Sequence, residues 1–187
     1  MARAYRKLKP VVVLVALAAA CRSTERTPVE FVDLLNTLPS AERRSIRPVE
    51  EAVRADLIGP AGDPRPAIVT DAPARVIWSL RLPSRARLET AVALIPGASG
   101  HPGVGAAARI GISDDRRYDQ LIAITLNGQV AQSRRWQPVS IDLGEYSGWQ
   151  WSLFYRPWER TWRLIFSADA TPEGTIAWAR PVITAKR

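Results

Sequence analysis

What most restricts the fold of this chain is the rhythm of its apolar residues from about residue 65 onward. Short runs alternate apolar and polar side chains, and each run is cut off by glycine or proline. In residues 75–82, RVIWSLRL, Val76, Trp78, Leu80 and Leu82 share one face, leaving Arg75, Ile77, Ser79 and Arg81 on the other. A period of two marks a half-buried strand. Residues 87–95 repeat the pattern with Leu88, Val92 and Leu94. Further strands are expected at 66–70, 106–113, 121–126, 136–143, 148–156, 161–167 and 175–184, with 49–58 as a mixed segment able to pair at an edge. Turn signals separate them: Gly59-Pro60-Ala61-Gly62-Asp63-Pro64, Pro83-Ser84, the glycine-rich 97–105, Asp114-Asp115-Arg116-Arg117, and Asn127-Gly128 as a hairpin turn. No helical pattern lies between these strands. Many short strands joined by such turns make the chain mainly β, an antiparallel β-sandwich.

Residues 29–38 follow a different period. Phe31, Leu34, Leu35 and Leu38 fall at i, i+3, i+4 and i+7, between Pro28 and Pro39. That spacing predicts a short amphipathic helix. A helix of about ten residues is marginal alone, so it is expected to dock on the sandwich.

The first 21 residues carry a separate message. Arg3, Arg6, Lys7 and Lys9 precede an apolar run, VVVLVALAAA at 11–20, and Cys21, the one cysteine of the chain, follows directly. The run is about half the length of 20 residues that a spanning helix needs, and Arg22, Glu25 and Arg26 end it. A core helix would not carry four basic residues in its first nine. An ordinary secretory leader cut after Ala20 would leave a free thiol at the new N-terminus. Ala18-Ala19-Ala20-Cys21 resembles the bacterial lipobox, a small-small-Cys core, departing from it at Ala18, where that family has Leu; here the leucine is Leu17. The resemblance implies cleavage before Cys21, a diacylglyceryl group on its thiol and an acyl chain on its amine. Three chains far exceed the single chain that gives only marginal membrane binding. With Arg22 rather than Asp at the following position, the same resemblance implies the outer membrane if the cell is Gram-negative. The expected organisation is a signal peptide at 1–20, a tether with the short helix at 21–45, and the sandwich at 46–187.

Charge narrows the partners. The formal charge of +8 comes from 26 basic and 18 acidic residues, and four of the basic ones lie in the leader. The mature chain would carry about +4, with signs interspersed rather than gathered in a patch, which argues against nucleic acid. Arg43-Arg44, Arg116-Arg117 and Arg134-Arg135 read as solvated loops, with anionic lipid headgroups or lipopolysaccharide as the alternative partner. Since no second cysteine exists, stability rests on packing, for which seven tryptophans and a 47% hydrophobic content suffice.

The most distinctive stretch is Asp142-Leu143-Gly144-Glu145-Tyr146-Ser147-Gly148 with the apolar run after it, and the late Trp178, Pro181, Val182 and Ile183. Residues 67–183 resemble a jelly-roll module, similar to galactose-binding-like and other carbohydrate-binding β-sandwiches. Arg65-Pro66-Ala67, residues 72–78 and Arg81-Leu82-Pro83 are also similar to a pattern in uncharacterised bacterial secreted or membrane proteins. These motifs concern turns and core positions, and speak to fold more than to activity.

Among the aromatic residues, Trp149, Trp151, Leu153 and Tyr155 share a face, and Trp151 reads as core. Trp149 at the strand's start and Trp158, between Arg156 and Arg160, are the expected ligand contacts. An exposed indole beside charged groups suits the C–H face and hydroxyls of a sugar. The other reading is a loop-anchoring tryptophan. Asp114, Asp115 and Asp119 lack the spacing of a calcium loop, and Arg116 and Arg117 would neutralise them. His101, the one histidine, has no cysteine partner for zinc and no evident triad. No metal or cofactor is implied, and nothing selects two of the 18 acids as a hydrolytic pair. The expectation is a monomeric, lipid-anchored, non-catalytic sandwich of the cell envelope that binds glycan. The alternative is an assembly role on another envelope protein, and an unidentified hydrolase stands third.

Overall fold

A computed structural model of the chain describes residues 29–60, 62–95, 105–147, 161–169 and 174–185. Eleven strands run through them in chain order: β1 (Val29–Asp33), β2 (Glu42–Ser45), β3 (Val53–Ile58), β4 (Arg65–Asp71), β5 (Ala74–Leu80), β6 (Ala86–Ile95), β7 (Gly105–Ser113), β8 (Tyr118–Asn127), β9 (Gln137–Asp142), β10 (Trp162–Asp169) and β11 (Thr175–Ala185). One sheet has the order β3-β4-β11-β6-β9, with β1 also on β11; the other has the order β2-β5-β10-β7-β8. All pairings are antiparallel. Numbered from β4, the two sheets hold the interleaved strand order of an eight-stranded jelly roll, so the expected mainly β, jelly-roll-like sandwich is what the chain forms. Among the described residues no helix is long and apolar enough to cross a membrane.

The period-two reading places the core. Val76 and Trp78 on β5 are buried, as are Leu88, Val92 and Leu94 on β6, and the outward Arg75, Ser79 and Arg81 are exposed, whereas Ile77, expected on that outward face, is buried as well. Trp78 meets Phe166 edge-on with ring centroids 5.2 Å apart, and Phe166 meets Trp178 at 4.8 Å. Those rings tie β5 and β10 of one sheet to β11 of the other. Truncating a ring of this kind to alanine costs about 3–5 kcal/mol.

The first correction falls at residues 29–38. No helix forms there: Val29–Asp33 is a strand paired with the last residues of β11, Val29 opposite Ala185 and Asp33 opposite Val182. The Asp33 carboxylate then accepts from the main-chain N–H groups of Leu35 (2.9 Å) and Asn36 (3.1 Å), closing a turn ahead of a 3-10 segment at Leu38–Ser40. A ten-residue helix is weak alone, and a ladder on an existing strand outweighs it. The apolar spacing still marks the burial of Leu34 and Leu38, but Phe31, at an irregularity in the register, stays exposed. Among the described residues the α-helical ones are a single turn, α1 (Val49–Ala52), ahead of β3.

A second difference concerns Asn127-Gly128. A turn does form, since the Asn127 carbonyl accepts from Val130 N–H at 2.9 Å, but β9 beyond it joins the other sheet. The β7–β8 hairpin is closed instead at Asp114–Arg117, where Asp114 Oδ1 accepts from the N–H groups of Arg116 and Arg117.

β11 carries the principal irregularity. Its register against β6 shifts between Ala179 and Val182, and Arg180 has φ 38°. Pro181, which lacks an N–H, is tolerated in this central strand at such a bulge. Thr90 Oγ1 donates to the Ala179 carbonyl (3.0 Å), and Leu34 N–H donates to the Pro181 carbonyl (2.9 Å), so the displaced carbonyls are satisfied.

Candidate ligand-binding site

The outer face of the β1-bearing sheet is paved with small residues. Ala67 on β4, Ala177 on β11 and Ala93 on β6 are fully buried, and together with Ile95 they form a cluster apart from the main core. Partly buried Ile58 and Trp136 pack on it. Trp136 precedes β9 and reaches the β3–β4 turn, where its indole N–H donates to the Asp63 carbonyl at 2.9 Å. Only glycine fits beneath it at position 59. A Cβ there would collide with the Asp63 carbonyl and lie 3.0 Å from Trp136 Cζ2.

Arg65 completes one side. Its guanidinium is 5.5 Å from the Trp136 ring centroid, within cation–π range. The same group is held by both oxygens of Asp63, at 3.1 Å from Nε and 2.7 Å from Nη2. This fork keeps the Asp63 carboxyl below its ordinary range and raises Arg65, chiefly through the hydrogen bond between them. Both side chains are exposed, so the pair orients the guanidinium more than it stabilises the fold.

Beside the indole opens a concavity of about 600 Å³, lined by Gln132, Arg135, Trp136, Gln137, Ala131 and Pro138. Arg135 and Gln132 are exposed, and Trp136 and Gln137 are half-buried. Flat apolar surface next to two amides and a guanidinium is a surface for a neutral, hydroxyl-rich molecule with an apolar face. A second concavity of about 530 Å³, bordered by Leu35, Asn36, Arg43, Glu50 and Arg54, contains no aromatic ring.

The site residues expected from sequence, Cys21, Trp149, Arg156, Trp158 and Arg160, lie outside the described residues, as do Trp151 and His101. The three aspartates weighed for calcium are engaged separately. Asp115 meets Arg163 (2.9 Å), Asp119 meets Arg117 (2.7 Å), and Asp114 closes the β7–β8 turn. Among the described residues no group of three His, Cys, Asp or Glu side chains is placed to hold a metal. Trp136 was legible only as the start of a strand, because its partner Asp63 is 73 residues away. The Gly59–Pro64 turn cluster was visible, but nothing local says that it curls onto an indole.

No family model and no curated protein sequence matches the chain. Solved structures do. The carbohydrate-binding module TmCBM61, solved with β-1,4-galactotriose, superposes with a TM-score of 0.50 at 9% identity, over 84% of this chain and 99% of that one. The K3 cleaved adhesin domain of Lys-gingipain from Porphyromonas gingivalis W83 gives a TM-score of 0.51 at 12% identity, over 85% and 100%. At such identities the likeness concerns the β-sandwich fold.

Proposed function

We propose that the chain is a non-catalytic, glycan-binding β-sandwich held at the cell envelope by a lipid on Cys21. The observation that carries the binding reading is the Trp136 concavity. A half-buried indole is fixed by its N–H bond to Asp63, with Arg65 against the ring and Gln132, Arg135 and Gln137 at the rim. Such an arrangement stacks on the C–H face of a sugar and hydrogen-bonds its hydroxyls at the periphery, with little reorganisation on binding. The fold is one that TmCBM61 uses with a galactotriose, which supports the ligand class without naming the sugar. Trp149, Arg156, Trp158 and Arg160 stay as candidate contacts on the sequence reading alone.

A glycan array probed with the full chain tests the reading. Binding to a subset of glycans is expected, with strong loss for Trp136→Ala and for the rim variant Gln132→Ala, both checked for folding by circular dichroism. Trp158→Ala, measured in parallel, separates the two candidate surfaces. No bound glycan, or binding indifferent to Trp136 and Gln132, overturns the Trp136 assignment. For the anchor, Cys21→Ser is expected to abolish palmitate labelling and release the protein from membranes. A variant that still sediments with membranes and takes up label refutes lipidation.

A further inference from the structure

Among the described residues the sandwich has several strands at the margins of its sheets, and they are not alike. β2 has four residues, three of them charged, Glu42, Arg43 and Arg44. β3 has six and carries Arg54 and Asp56. β9 has six and contains Pro138, which offers no N–H, and β1 has five and is broken at Phe31. Shortness, charge, proline and irregularity are the devices that keep sheet edges from pairing with other chains.

β8 has almost none of them. It is ten residues long and lies at the margin of its sheet, paired among the described residues with β7 alone. Asp119 is its one charged residue and it has no proline. The register irregularity at Leu121 sits toward one end, so Ile122–Leu126 keeps a regular edge. Gln120, Ala123 and Thr125 are exposed on the outer side. On the inner side Leu121, Ile122 and Ile124 are only partly covered at the rim of the core. No hydrogen bond from another described segment reaches the outer edge of residues 119–126.

We propose that this edge pairs with the β8 edge of a second copy of the chain, in place of the monomer expected from sequence. Laid antiparallel about a two-fold axis at Ala123, two β8 strands set Ile122 of one copy opposite Ile124 of the other and Ala123 opposite its own counterpart. Small neutral Ala123 and Thr125 line the outer side, and the two Asp119 carboxylates fall at opposite ends. The strand is therefore complementary to itself, which a two-fold, isologous contact requires. The product is one continuous sheet made from both five-stranded sheets, with main-chain hydrogen bonds closing the open edge.

Cysteine pairing in the producing cell tests this with the full chain. In Ala123→Cys, a self-paired β8 brings the two thiols into the range where disulfides form, Cα atoms about 4.4–6.8 Å apart. Oxidation of membranes is then expected to give a species of doubled mass, beyond the background of the parent chain with its Cys21. The control Asp56→Cys, on charged β3, should not link. Independently, Ala123→Lys and Ala123→Asp should each cut co-purification of two differently tagged copies by about tenfold, through like charges facing across the axis. Mixing the Lys and Asp variants should restore it. A single-mass Ala123→Cys, equal linking of both cysteine variants, or no recovery in the mixed pair overturns the proposal. None of these readouts involves a glycan, so their failure leaves the Trp136 reading standing.

Discussion

The indole N–H of Trp178 donates to the hydroxyl oxygen of Thr70 at 3.1 Å, and that hydroxyl donates onward to the Ile176 carbonyl at 3.2 Å. Both side chains are fully buried, on adjacent strands β11 and β4. Thr70→Val keeps the shape but strands the indole N–H, at an expected loss of about 1–3 kcal/mol. Urea unfolding checks it, and a loss under a few tenths of a kcal/mol would show the bond to be dispensable.

Gly59 lies where a Cβ would strike the Asp63 carbonyl and crowd Trp136. Gly59→Ala should therefore move the β3–β4 turn and the indole together. The expected result is a red shift in tryptophan emission and weakened glycan binding, with the sandwich still folded. An unchanged emission maximum with unchanged binding would mean that the turn does not position the ring.

Gly111 on β7 lies under the ring of Tyr118, and a Cβ there would meet Cε2, Cζ and Oη. Tyr118 is half exposed, so its ring can swing away into solvent. Gly111→Ala is expected to cost about 1 kcal/mol or less, near the centre of the distribution for point substitutions. In the Tyr118→Ala background that cost should vanish or reverse. A double-mutant cycle measures the coupling, and additive effects would sink the contact.

Tyr146 packs edge-on against Trp162 with centroids 5.2 Å apart. Burial first, then the hydrogen bond and charge of Glu145, pushes its hydroxyl from 10.0 up to about 12. The folded chain thus holds this proton more tightly than the unfolded chain does. Its contribution to stability is complete below pH 10 and is lost as the pH rises through 12. The tyrosinate absorbance lost in Tyr146→Phe should titrate near 12. Glu145→Gln should lower that midpoint only in part, because burial is the larger cause. A midpoint at 10 in the intact chain contradicts this environment.

On β5 and β6 the period-two pattern was enough to find the core-facing side chains, though not to foresee that Ile77 is buried on the other face or that residues 42–45 form a strand. Val76 and Trp78, or Leu88, Val92 and Leu94, could be read as core because period two is a local property of the chain. Residues 29–38 were misread for the complementary reason. Their helical spacing is local, but what decides their state is β11, about 150 residues later. The buried outer face was equally illegible, since Ala67, Ala93 and Ala177 are small and carry no signal of what covers them. The ring that packs there, Trp136, gains its meaning from Asp63 and Arg65, and such contacts between distant residues leave no trace in spacing.

The way β1 joins β11 has a mechanical meaning. Val29 opens β1 beside Ala185, so the chain enters the sandwich along the strand axis, at one end of a ladder running to Asp33. A pull through the residues ahead of Val29, parallel to that axis, loads every rung of the ladder together in shear. The same pull directed sideways would peel the rungs one at a time. A domain tethered ahead of Val29 therefore resists drag best when the tether lies in line with its strands.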